Sequence, residues 1–130
     1  MDSYIIAFYE ADYADEFYVR GAWFTTQAEF DKHMKRAKKV FDREEELAKL
    51  KYDSLPETNY KKKYNYGPEV GIDIRFGTNE AITYTSFEAY QNCFEVKRSS
   101  KEVNDAVTMV RAVRSPVIGT ICFVRGEQDY

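Results

Sequence analysis

The hydrophobic pattern changes its period within the first 50 residues. The stretches Tyr4–Tyr9 and Phe17–Phe24 are rich in β-branched and aromatic residues, which favours two strands. They lie close enough in the chain to form an antiparallel hairpin, and Gly21 is a candidate for a β-bulge. The sequence therefore predicts that the chain opens with a hairpin.

A long amphipathic helix is predicted directly after this hairpin. Thr26 followed by Glu29 matches a capping box. Apolar side chains then recur at intervals of three and four, at Phe30, Met34, Ala37, Val40, Phe41, Leu47 and Ala48. A helix of about 25 residues is about 37 Å long at 1.5 Å per residue. That length is large for so small a domain, and whether the part beyond Asp42 projects past the sheet or packs on it is left open.

The order strand, strand, helix then recurs. Val70–Phe76 alternates apolar and polar residues, and Ala81–Thr85 returns as a second strand. Ser86 can cap a helix whose apolar positions are Phe87, Tyr90, Cys93 and Phe94. Aligned without gaps, Phe24–Thr26 falls on Tyr84–Ser86. We interpret this as a structural quasi-repeat.

The last third of the sequence predicts one more helix and one buried strand. Ser99–Glu102 resembles a capping box and opens a helix with Val103, Val107, Val110 and Val113 on one side. Pro116 ends that helix, and the apolar run Val117–Val124 favours a strand buried on both faces.

Together these elements predict a single α+β domain over residues 1–130. We expect two layers, with an antiparallel-rich sheet of about five strands and helices mainly on one face. Residues 51–68 contain Pro56, Gly67 and Pro68 and are predicted to form a long exposed connection. The sheet order and the oligomeric state are left open.

Composition narrows the function classes. The net charge of −3 and the sequence pI of about 5.3 disfavour a dedicated duplex nucleic-acid binder, because such domains are usually basic. No apolar run reaches membrane-spanning length, and the N-terminus lacks a signal-peptide pattern, so we expect a cytoplasmic protein without a membrane partner. Cys93 and Cys122 both stand in apolar contexts typical of buried, reduced thiols.

The residue types that carry catalysis form no recognisable constellation. The sequence lacks a phosphate-binding loop, a dinucleotide-binding glycine motif and a nucleophile elbow. His33 is the only histidine and is predicted to lie at the edge of the core or in solvent. We therefore expect a non-enzymatic protein with no cofactor and no metal.

Aromatic residues make up 16% of the chain, more than one small core can hold, so some must face outward as contacts. Two stretches combine rings with charge. The first is an acidic–aromatic patch suited to a basic partner, formed by Asp12, Tyr13, Asp15, Glu16 and Tyr18. The second is a basic–aromatic run, formed by Tyr60, Lys61, Lys62, Lys63, Tyr64 and Tyr66. The second run also has the composition of a single-stranded nucleic-acid contact, which is the alternative hypothesis.

The opening Tyr4–Glu10 and Val19–Phe30 segments, together with the acidic, tyrosine-rich loops, resemble small early proteins of bacterial viruses in general character. That resemblance implies a host-takeover or anti-defence protein acting in the host cytoplasm. Its partner would be a host protein, for example one with a basic nucleic-acid-binding surface. The resulting hypothesis is an inhibitor that occludes its partner through the acidic–aromatic patch, with the Tyr60–Tyr66 run as a second contact.

Overall fold

The computed structural model describes residues 4–13, 16–76, 81–107, 111–113, 115–119 and 121–124. For residues 11–13, 16–20, 106, 111, 113 and 121–124 it describes the backbone alone. The strands and helices follow in the order β1 (Tyr4–Tyr13), β2 (Glu16–Thr26), α1 (Gln27–Asp53), α2 (Tyr60–Lys63), β3 (Pro68–Arg75), β4 (Ala81–Tyr84), α3 (Phe87–Asn92), β5 (Phe94–Arg98), α4 (Lys101–Val107), β6 (Arg111–Val113), β7 (Val117–Ile118) and β8 (Ile121–Val124).

The predicted α+β class is confirmed, but the described strands form two sheets where the sequence suggested one. The first sheet has the order β5-β1-β2-β6, antiparallel except for the parallel pair β2–β6. In the second sheet, β3 pairs with β4 on one edge and with β7 and then β8 on the other. In the first sheet β1 and β2 are the two inner strands, and in the second sheet β3 has strands on both edges.

The predicted hairpin and its connection to the helix are confirmed. Tyr9 pairs with Gly21 and Glu10 pairs with Val19, so the extra residue of the bulge is Arg20, beside Gly21. The Thr26 hydroxyl accepts a hydrogen bond from the Glu29 amide at 3.1 Å and caps α1. The chain thus passes from strand to helix without a loop.

The main core lies between α1 and the strands of both sheets. Its fully buried members include Phe41 on α1, Ile72 and Ile74 on β3, and Tyr9 on β1. On the other face of the first sheet, a smaller cluster joins α4 to β1 and β2, with members Ile6, Phe8, Ala22, Val103 and Val107. Strand β1 is therefore covered on both faces, in keeping with its nearly continuous apolar sequence.

The distal half of α1 packs against the domain. Ala48 is completely buried in the main core, and α1 packs against β3 and β8. Of the two possibilities left open for the helix beyond Asp42, the structure shows the packed one, because the second sheet extends the surface on which the helix lies. Likewise, part of the predicted connection over residues 51–68 is ordered, since α1 continues to Asp53 and α2 follows at Tyr60.

The second predicted helix is much shorter than expected. Ser86 caps it as predicted, with its hydroxyl accepting from the Ala89 amide at 3.1 Å, but the helix ends at Asn92. Phe94 and the following residues instead form β5, an edge strand on β1. The alternation of Phe94 and Val96 with Glu95 and Lys97 is a period-two signal that the helical interpretation overlooked.

Two further boundaries differ from the predictions. Ser100 caps α4, but residues 111–113, assigned by sequence to this helix, form β6 beside β2. The predicted strand Val117–Val124 is divided into β7 and β8, and Val117 is exposed rather than buried. Both strands pair with β3 in the same antiparallel register, and between them the Gly119 amide donates to the Asp73 carbonyl at 2.7 Å.

Candidate functional site

The segment after α1 is fixed to the C-terminal end of that helix. The Asn59 side chain caps α2 by accepting from the Lys61 amide at 2.9 Å. The Tyr52 hydroxyl donates to the Lys61 carbonyl at 3.2 Å, and Lys62 Nζ donates to the Asp53 carbonyl at 2.9 Å. These bonds hold α2 in a defined position although it has only four residues.

Three tyrosines of this segment form a contiguous surface group, which we call the tyrosine cluster: Tyr60, Tyr64 and Tyr66. The rings of Tyr60 and Tyr66 are perpendicular with centroids 5.7 Å apart, and those of Tyr64 and Tyr66 are 6.5 Å apart. Asn65 in the left-handed region, with φ of 54°, turns the chain so that the Tyr66 amide can donate to the Lys61 carbonyl at 2.9 Å. The rings are therefore held in place before any partner arrives.

The cluster presents apolar surface to solvent. Tyr64 is 62% exposed and Tyr66 is 45% exposed, whereas Tyr60 is half-buried. On the end of α1 to which α2 is anchored, Leu47 and Leu50 are also exposed. Large exposed side chains grouped at one end of a domain are characteristic of a contact surface.

The three consecutive lysines are not equivalent, which corrects the picture of a uniform basic run. Lys61 is 3% exposed, so little of it can contact a partner. Lys62 is directed back onto the protein, 3.8 Å from Glu57 and 5.9 Å from the Tyr52 ring centroid. Lys63 alone among the three is exposed, with Nζ 5.8 Å from the Tyr64 ring centroid.

The predicted acidic–aromatic patch falls at the tip of the β1–β2 hairpin. Asp12 pairs with Phe17 and Tyr13 pairs with Glu16, while Tyr18 lies further along β2. Asp15 lies outside the described residues, as do the side chains of the other four. The patch remains a prediction, at the end of the first sheet remote in sequence from the tyrosine cluster.

A second surface feature is a pocket of about 420 Å³ between β2 and the first turns of α1. Its lining residues are Trp23, Thr25, Glu29, Lys32, His33, Arg36 and Ser115. The four helical residues recur at intervals of three, four and seven, so they share one face of α1. Sequence analysis missed this site, although that polar stripe beside the apolar one was a usable signal.

His33 connects this pocket to the core. Its Nε2 lies 2.6 Å from the hydroxyl of Tyr90, a fully buried residue, and its ring meets the edge of Trp23 with centroids 5.4 Å apart. Burial, and secondarily the charge of Arg36, lower the pKa of His33 below its ordinary value. The expectation of a histidine at the edge of the core is confirmed, and the neutral imidazole is the favoured form.

Cys93 is more deeply buried than His33, and its thiol is weakly reactive. It is free, buried and next to Tyr84 and Tyr90. Burial raises the pKa of its thiol to about 12, so the nucleophilic thiolate is scarce at neutral pH. The prediction that Cys93 is buried is confirmed, whereas the side chain of Cys122 is outside the described part.

No helix among the described residues is long and apolar enough to cross a membrane. Within the same residues, no group of three or more His, Cys, Asp or Glu side chains is arranged to hold a metal ion. Comparisons with protein-family models, curated proteins and solved structures found no match to this chain. Its function must therefore be argued from its own surfaces.

Proposed function

We propose that this protein is a non-enzymatic binding protein that attaches to another protein through the tyrosine cluster. The observation that carries the proposal is the mutual packing of Tyr60, Tyr64 and Tyr66 with two of the three rings exposed. Tyrosine supplies large contact area at a small entropic cost, because its side chain has few rotatable bonds. A cluster that is already ordered reduces that cost further.

The charge distribution favours a protein partner over a nucleic acid. A single-stranded nucleic-acid site combines stacking rings with a track of cations for the phosphates. Here Lys61 is buried, Lys62 faces Glu57, and Lys63 is left as the exposed cation of the three. Exposed Leu47 and Leu50 at the same end add apolar surface that a protein can bury.

The resemblance to small early proteins of bacterial viruses suggests a host protein as the partner and inhibition by occlusion as the mechanism. In this proposal the tyrosine cluster is the principal contact. The predicted acidic–aromatic patch at residues 12–18 is then a second contact that would match a basic surface on the partner.

The test compares two variants of the full chain as affinity baits in a lysate of the cells in which the protein is naturally made. The double variant Tyr64→Ala/Tyr66→Ala removes the exposed rings, and Tyr4→Ala removes an equally exposed ring on the first sheet. We expect a partner retained by the wild type and by Tyr4→Ala to be lost by the double variant. Retention of the same partner by the double variant would contradict the proposal.

A labelled single-stranded oligonucleotide tests the alternative in the same preparations. Nucleic-acid binding would show as an affinity that falls steeply with salt. We expect no saturable binding at physiological ionic strength, and tight, salt-sensitive binding that requires Lys63 would favour the alternative instead.

A further inference from the structure

The pocket between β2 and α1 has features that protein binding does not explain. Three separate segments contribute to it: Trp23 and Thr25 from β2, one face of α1, and Ser115 after β6. Its volume of about 420 Å³ falls in the range of small-molecule sites, roughly 300–1,000 Å³. It therefore has the dimensions of a ligand site rather than of a packing defect.

The two cations in this pocket lie one helical turn apart. Lys32 and Arg36 are separated by four residues, a spacing at which like charges repel. Within the described part of the chain, neither side chain forms an ion pair, and Glu29 lines the pocket without bridging them. An anion bound between the two side chains would relieve this repulsion and use the planar donor array of arginine.

The hydroxyl groups indicate what kind of anion fits. Ser115 adds a hydroxyl donor to the same cavity, whereas the hydroxyl of Thr25, which is 8% exposed, donates to the Thr26 carbonyl at 3.4 Å. Two cations, with the Ser115 hydroxyl as a further donor, suit the three terminal oxygens and double charge of a phosphate monoester better than the two oxygens of a carboxylate. Glu29 can accept hydrogen bonds from hydroxyl or amino groups of the organic part, and its charge disfavours long polyanions.

We propose that this pocket binds a small phosphate monoester, with Lys32 and Arg36 holding the phosphate and Trp23 forming the apolar wall. The inference is independent of the proposed protein contact, because the tyrosine cluster shares no residue with the pocket. A nucleotide and a sugar phosphate both carry a phosphate monoester, and the titration described next distinguishes between them.

Trp23 provides the readout, since it is the single tryptophan of the chain. Its fluorescence, together with amide NMR shifts of the full chain, is followed during titration with adenosine monophosphate, ribose 5-phosphate, inorganic phosphate and adenosine. We expect saturable binding of at least one ester and weaker binding of inorganic phosphate and of adenosine. Tighter binding of the nucleotide than of ribose 5-phosphate assigns the pocket to nucleotides, and equal binding assigns it to sugar phosphates.

Charge-matched variants test the assignment of the cations. Lys32→Gln/Arg36→Gln removes the two cations among the described lining residues, whereas Lys35→Gln/Lys39→Gln removes two exposed cations that are not among them. We expect the first pair to weaken ester binding by about tenfold or more, and the second pair to leave it within about twofold. Three results would each overturn the proposal. The two double variants could lose ester binding equally, inorganic phosphate could bind as tightly as the esters, or neither ester could saturate the protein at millimolar concentration.

Discussion

Replacing Ala48 with glutamate tests whether the distal half of α1 is packed. Ala48 is completely buried, whereas its neighbour Leu47 is 44% exposed, so Leu47→Glu is a matched control in the same helical turn. Both substitutions introduce the same side chain, and alanine and leucine are both strong helix formers. The difference in the free energy of unfolding between the two variants therefore reports the effect of burial.

The expected cost of Ala48→Glu has two parts. A carboxyl kept in an apolar site must be protonated, and holding it neutral at pH 7 against an ordinary pKa of about 4.3 costs about 3.7 kcal/mol at 1.36 kcal/mol per pH unit. Overpacking adds about 1–3 kcal/mol. We therefore expect the free energy of unfolding to fall by about 5–7 kcal/mol more in Ala48→Glu than in Leu47→Glu.

Urea denaturation followed by Trp23 fluorescence and circular dichroism measures this difference. The introduced carboxyl has a raised pKa in the folded state, so its penalty is absent below the unfolded pKa and grows as pH rises above it. The difference in the free energy of unfolding between the two variants should therefore become smaller as pH falls toward 4. A gap below about 1 kcal/mol at pH 7 would show that the distal half of α1 does not pack on the sheet.

Three further predictions concern the helix cap, the histidine and the buried thiol. Thr26→Ala should lower the free energy of unfolding by about 1 kcal/mol in urea denaturation, through loss of the bond to the Glu29 amide, and an unchanged midpoint would argue against this cap. Because the folded-state pKa of His33 is lowered, its contribution to stability is complete above an unfolded pKa of about 6.5 and is lost as pH falls through that value toward the folded pKa. Wild type should therefore lose more stability than His33→Gln between pH 7.5 and pH 5, and parallel losses would refute this assignment. In a Cys122→Ser background, Cys93 should react with a thiol reagent at pH 8 far more slowly in the folded chain than in urea, and equal rates would contradict its burial.

Local signals predicted the ends of elements better than their length. The caps at Thr26 and Ser86 were predictable because a hydroxyl three residues before an amide is a short-range arrangement. The end of α3 at Asn92 was not predictable in this way. Residues 94–98 alternate in polarity but also fit the helical period, and pairing with β1 selects the strand.

The candidate sites likewise depend on long-range contacts that local sequence signals do not predict. The sequence indicated the aromatic and basic character of residues 60–66, but the burial of Lys61 depends on the packing of α2 against the end of α1. The pocket brings Ser115 next to Trp23 across 92 positions of the chain through the parallel pairing of β6 with β2. No local pattern encodes such a contact, because it is set by how the two strands meet in the sheet.

Photo-crosslinking from position 64 tests most directly whether the tyrosine cluster is a protein-binding surface. A benzophenone amino acid replaces Tyr64 in one preparation of the full chain and the equally exposed Tyr4 in another. Both are irradiated in lysate of the native cells, and the products are treated with nuclease or protease. We expect a discrete, nuclease-resistant protein adduct from position 64 that is absent from position 4. An adduct that nuclease removes, or a protein adduct from position 4 alone, would contradict this expectation.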